Sequence, residues 1–155
     1  MTVEVFMRRA IALSCEQVEA GGGPFGAVIV RNGEIIAEGA NEVTLANDPT
    51  AHAEVVAIRR AAQALGTFDL SGCTLFTSCE PCPMCLGATY WARIDQLFYG
   101  NDRRDAAGIG FDDEFIYREV VLPPVARSLK MTRLLPDEAQ AAFDAWCKSP
   151  DKVSY

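Results

Sequence analysis

Two consecutive CxxC spacings in Thr77-Ser-Cys-Glu-Pro-Cys-Pro-Met-Cys-Leu-Gly-Ala88 constrain this chain more than any other stretch. Upstream, Ala51-His52-Ala53-Glu54 carries its only histidine. Thiolate and imidazole are donors suited to zinc, and three protein donors with one position left for water is the pattern of a catalytic ion. A fold that uses these groups together must bring two short, distant stretches to one point. Cys82 and Cys85 are three residues apart, so on a helix they share a face. Pro83 fits the first helical position, which makes Cys82 the cap and puts Cys85 in the first turn. Unpaired N–H groups and the positive dipole end favour thiolate there. His52 is expected in the first turn of its own helix. Glu54, two residues on, faces elsewhere around the helix tip and suits a carboxylate beside the bound water rather than a further ligand.

Cys79 keeps two other arrangements open. With Cys82, Cys85 and His52 it would close a structural Cys3His site. With Cys82 alone it would form a thioredoxin-like redox pair, Cys79-Glu-Pro-Cys82. Neither gives Glu54 a task.

The totals narrow the setting. A chain of 155 residues is most simply one domain, 1–155, and buries enough surface to need no disulfide staples. The net charge is -7, and only Lys130, Lys148 and Lys152 supply lysine. A polynucleotide-binding protein normally carries a basic footprint, so nucleic acid is disfavoured as a partner. No basic segment followed by an apolar run opens the chain, and no apolar stretch approaches the roughly 20 residues a membrane helix needs. The expected compartment is the cytoplasm, where six cysteines argue for metal over disulfides.

In chain order, 2–20 reads as an amphipathic helix with Phe6, Ala10, Leu13 and Val18 at helical spacing. Gly21-Gly22-Gly23-Pro24 stops it. Strands follow at 25–31 and 34–40, joined by the hairpin signal Asn32-Gly33. After a polar loop at 41–48, a helix is expected from about 51 to 65, capped by Asp48 or Thr50 and ended by Gly66. A strand at 73–78, the helix opened by Cys82, and a strand at 96–100 complete an alternating pattern that implies parallel pairing. Residues 102–112 read as a charged loop, 111–119 as a short helix, 128–135 as a last strand and 137–147 as a final helix.

These motifs resemble the cytidine deaminase-like superfamily of zinc deaminases, of which H-x-E with P-C-x-x-C is the signature. Gly23-Pro-Phe-Gly-Ala-Val-Ile-Val30, Asn47-Asp-Pro-Thr-Ala-His-Ala-Glu-Val55, Thr77 to Arg93, Gly110-Phe-Asp-Asp-Glu-Phe-Ile-Tyr117 and the terminal Tyr155 resemble bacterial guanine deaminases in particular. The first three stretches are shared in part with tRNA adenosine deaminases. The resemblance implies an α/β fold, a three-layer α/β/α sandwich around a five-stranded mixed sheet. It implies one Zn2+ per chain on His52, Cys82 and Cys85 with water as fourth ligand. It further implies Glu54 as general base, Asp113 as the carboxylate that protonates the leaving amine, and Asn41, Phe25, Trp91 and Tyr155 as substrate contacts. The tail 148–155 would cover an active site, and the chain would form a homodimer. The implied reaction is guanine plus water to xanthine plus ammonia, a step of purine catabolism. A tRNA adenosine or guanosine deaminase is the alternative, and a non-catalytic zinc module is the reading from another class.

Overall fold

The computed structural model describes residues 2–155. The chain divides into two compact units, residues 2–117 and 118–155. In the first unit, α1 (Val3–Glu19) leads into the hairpin β1 (Gly23–Arg31) and β2 (Glu34–Asn41). Asn32 and Gly33 turn it with φ of 53° and 78°, the doubly left-handed pair that suits a two-residue hairpin. A short α2 (Val43–Ala46) precedes α3 (Ala53–Leu65), β3 (Cys73–Cys79), α4 (Pro83–Trp91) and β4 (Gln96–Asn101). Then come α5 (Arg103–Gly108) and α6 (Glu114–Val120).

The strands form one mixed sheet in the order β2-β1-β3-β4. β1 is antiparallel to β2 and β3, and β3 is parallel to β4. The period-two alternation of strand side chains divides the core between the two faces. Val28, Val30 and Phe76 pack with Phe6 and Ala10 of α1. Ala27, Ile29 and Leu75 pack on the other face with Ala53, Ala57 and Ala61 of α3 and with Ala92 beyond α4. The alanines recur every fourth residue, so α3 presents a narrow stripe that can approach the sheet closely. Gly39 of β2 completes that approach, since a Cβ there would lie 2.3 Å from the Ala53 carbonyl oxygen and 2.6 Å from the Ala57 nitrogen.

The expected five-stranded sheet is corrected to four strands. Residues 128–135 form no strand among the described residues. Their apolar positions 129, 131, 134 and 135 do not keep a strict alternation, and Leu135 turns left-handed at φ 51°. The backbone at their start is satisfied locally, the Glu119 carboxylate accepting from the Ser128 amide at 2.7 Å. Arg127 donates to the carbonyls of Glu119 and Leu122. The second unit continues with a 3-10 turn at Pro124–Ala126 and α7 (Pro136–Lys148), whose C-terminal end is bonded by Lys152 through the Cys147 and Ser149 carbonyls.

The charged loop expected at 102–112 contains α5. Asp102 accepts from the amides of Arg104 and Asp105 while the Asp105 carboxylate accepts from the Asp102 amide, a reciprocal capping box.

Candidate metal centre and active-site cavity

β3 ends where the first donor loop begins. Cys82 is the N-cap of α4, with Pro83 behind it and Cys85 in the first turn, as the spacing predicts. His52 is the N-cap residue of α3 rather than part of its first turn, because the helix starts at Ala53, two residues later than expected. The extended backbone of His52, at φ -70° and ψ 153°, lets the ring leave the helix tip. His52 Nδ1 lies 3.5 Å from Cys82 Sγ and 3.5 Å from Cys85 Sγ. All three donor atoms lie within 4.8 Å of one another. Tetrahedral zinc with ordinary bond lengths would set a nitrogen and a sulfur about 3.6 Å apart, so the donor set fits the ion in spacing as well as in chemistry.

The hydrogen bond from Cys85, with further help from His52, pulls the Cys82 thiol down to about 4. The same bond, together with burial, drives Cys85 far upward. The bond to Cys82 raises His52. Cys79 stands outside the three-donor group among the described residues. Its thiol donates to the Asp102 carbonyl at 3.9 Å, and burial raises it to about 11.

Glu54 sits in the first turn of α3 and is almost fully buried, which raises its carboxyl. Thr77 Oγ1 of β3 lies 3.2 Å from Glu54 Oε1 and 3.0 Å from the Cys79 carbonyl oxygen. A cavity of about 610 Å³ opens here, lined by His52, Glu54 and Cys82 together with Asn41, Phe25 and Asp113. Its lining holds the carboxyls of Glu54, Glu80, Asp112 and Asp113 and, among the described residues, no lysine or arginine.

Asn41, at the end of β2, is buried. Its Oδ1 accepts from the Val43 amide at 3.2 Å, and its main-chain carbonyl accepts from Gln17 Nε2 at 2.6 Å. That fixes the carboxamide with its NH2 as the group left to offer a ligand. Phe25 meets Phe111 edge to face, with centroids 5.0 Å apart. The two neighbouring aspartates at the start of α6 divide their tasks. Asp112 Oδ1 accepts from the Glu114 amide in the manner of a cap. Asp113 Oδ1 is buried and has no hydrogen-bond partner, and burial raises its carboxyl.

The structure does not bring Trp91 to this cavity. It closes α4 and is 66% exposed. Six residues of helix separate it from Cys85, about 9 Å of rise away from the donor end. Tyr155 belongs to the second unit. Sequence reasoning passes over Glu80, Thr77 and the glycines at 21–23, all of which lie at the cavity or bond to its residues. Glu80 stands between Cys79 and Pro81 in the motif itself, the signal that would have found it.

Comparison with known proteins follows the same lines. Residues 1–101 match the cytidine and deoxycytidylate deaminase zinc-binding region. Guanine deaminase of Bacillus subtilis (strain 168) is 54% identical over 156 residues, spanning 100% of both chains. Its X-ray structure superposes with a TM-score of 0.97, covering 100% of this chain and 99% of that one. A guanine deaminase from Nitrosomonas europaea superposes with a TM-score of 0.70 at 36% identity, covering 72% of this chain and 65% of that one. The tRNA-specific adenosine deaminase of Bacillus subtilis is 43% identical over 97 residues, 63% of this chain and 60% of that protein.

Proposed function

The chain belongs to the cytidine and deoxycytidylate deaminase zinc-binding family, and from that premise we propose that it hydrolyses guanine to xanthine and ammonia. The observation that carries the reading is one cavity lined by the metal donors His52 and Cys82, a buried glutamate and an aspartate with one unpartnered oxygen, with no lysine or arginine in the lining among the described residues. Such a lining suits a neutral base and disfavours a polyanion, whose phosphates need Lys or Arg. The full-length likeness to a guanine deaminase supports guanine over other bases.

A zinc ion on His52, Cys82 and Cys85, one per chain with a position open to water, would supply the Lewis acidity that makes water nucleophilic near neutral pH. Glu54 takes the proton of the attacking water and returns it to the base at N3. Burial makes it a competent carrier, because desolvation disfavours its charge and so favours holding the proton. Thr77 serves both states of Glu54. It donates to Oε1 of the carboxylate, and when Glu54 holds the proton it donates to the Cys79 carbonyl instead. Oxygen adds at C2, and the exocyclic amine must be protonated before the C2–N bond breaks; the proton delivered there is replaced by the one the C2 hydroxyl gives up as it becomes the xanthine carbonyl. Asp113 Oδ1, buried without a partner, is suited to that transfer. The Asn41 NH2 orients the base edge, and Phe25 packs its face.

Ammonia release should be measured with guanine, guanosine, adenine, cytosine and tRNA as substrates. The expected result is turnover of guanine alone; turnover of tRNA without guanine would overturn the proposal.

A further inference from the structure

The carboxyl of Asp113 poses a positioning problem. Because Oδ1 bonds to nothing, the carboxyl is not held in place through that atom. Its location therefore depends on the backbone at the start of α6, which is held by a cluster centred on Arg103 and Tyr117. Arg103 is the first residue of α5. Its amide donates to Glu80 Oε2 at 3.0 Å, and its Nε lies 3.3 Å from the same oxygen. One terminal nitrogen of the guanidinium is 3.5 Å from the carboxylate of Glu114, the residue after Asp113. The guanidinium carbon stands 4.3 Å above the ring of Tyr117. Tyr117 Oη in turn donates to the Pro81 carbonyl at 2.5 Å. Its own amide donates to the Asp113 carbonyl at 3.1 Å, one helical turn back.

The cluster therefore joins two segments at two points each. Glu80 and Pro81 stand directly before the metal donor Cys82, while Glu114 and Tyr117 follow Asp113. We propose that Arg103 and Tyr117 are positioning residues that hold Asp113 at a fixed separation from the metal donors, so that its carboxyl meets the leaving amine. This rests on the reading of Asp113 as proton donor. Neither residue lines the cavity; Tyr117 acts through the Pro81 carbonyl on one side and the α6 backbone on the other. A phenylalanine at 117 keeps the ring under Arg103 and loses only the bond to Pro81. A lysine at 103 keeps the charge and loses the planar stack and the fork.

The test is a double-mutant cycle of Tyr117→Phe and Asp113→Asn, reading kcat and KM for guanine and bound zinc per chain. Tyr117→Phe should lower kcat by roughly ten- to a hundredfold, the scale of an ångström of misplacement, with KM and zinc content unchanged. In the Asp113→Asn background the same substitution should cost nothing further, since the group it positions is gone. Arg103→Lys should behave likewise, and Arg103→Met carries the same comparison if Tyr117→Phe does not accumulate as folded protein. An unchanged rate in Asp113→Asn would overturn the proton-donor reading itself. A slow Asp113→Asn with an equal loss from Tyr117→Phe in both backgrounds, with lost zinc, or with no loss at all would overturn the positioning role alone.

Discussion

Two carboxyls in one cavity are told apart by what each one bonds. Glu54 accepts from Thr77 inside the first turn of a helix whose cap is a metal donor. Asp113 has an oxygen with no partner and stands at a second helix start beside Asp112, whose Oδ1 accepts from the Glu114 amide. On the proposed reading, the first would shuttle a proton beside the metal donors and the second would deliver one to the leaving amine. Glu54→Gln keeps size and hydrogen-bonding capacity but cannot accept the proton. Its kcat should fall by about 10²–10⁴-fold, the usual contribution of a general base, with zinc still bound. Retained turnover at full zinc occupancy would remove Glu54 from the chemistry. The difference in legibility between the two carboxyls has a physical origin. Glu54 is tied to His52 by covalent spacing and helix geometry, so local rules assign it. Asp113 arrives from a segment about 60 residues further along, and only resemblance points to it. Trp91 shares α4 with Cys85 but stands at its far end, outside the cavity lining.

At the scale of elements, the site depends on how closely α3 can lie on the sheet. Gly39 permits that approach, and the alanine stripe of α3 uses it. Gly39→Ala places a methyl group against the backbone of Ala53 and Ala57, where no flexible side chain can yield. It should destabilise the fold by about 1–3 kcal/mol, as overpacking does, and should weaken zinc binding because α3 carries His52. Urea denaturation and a zinc titration check the two parts; unchanged stability would show that α3 has room to move. On the opposite face, α1 is fastened to β2 by Arg9, whose Nε lies 2.7 Å from Glu38 Oε1. The bonds from Arg9 hold the Glu38 carboxyl below its ordinary value. A depressed carboxylate contributes stability in full above its unfolded pKa, about 4.3 for glutamate, and loses it as pH falls through the lower folded value. Glu38→Gln should therefore be less stable at pH 7, by less than about 1 kcal/mol for so exposed a pair. The gap should close below about pH 4. A gap that persists in acid would assign the effect to packing.

For the whole molecule, the question is what the metal donors do for folding as well as for catalysis. The alternation of elements, the hairpin, and both donor helices are legible because each is governed by local signals: Asn32-Gly33, Pro83 after a capping cysteine, Gly66 at a helix end. The strand count is not legible, because an extended stretch becomes a strand only by pairing. Residues 128–135 carry no strict alternation and form no strand among the described residues. The helix at 103–108 is missed although Asp102 and Asp105 announce it, since charge and glycine at 102–112 suggest a loop first. His52 and Cys82 cap two helices that come from different parts of the chain, and the donors meet at the tips of α3 and α4. An ion bound there links two elements that hydrophobic contact alone must otherwise hold together. A ligand present at a hundred times its Kd stabilises the state that binds it by about 2.7 kcal/mol. For a chain of this length each kcal/mol is worth about 2–4 °C, so removing zinc should lower Tm by about 5–10 °C. Melting curves before and after chelation, and again after zinc is restored, measure this directly. In Cys82→Ser the melt should no longer respond to zinc. A wild-type Tm indifferent to chelator, with zinc shown to have left, would mean that the two helix tips are positioned by the core alone and that the metal serves only the reaction.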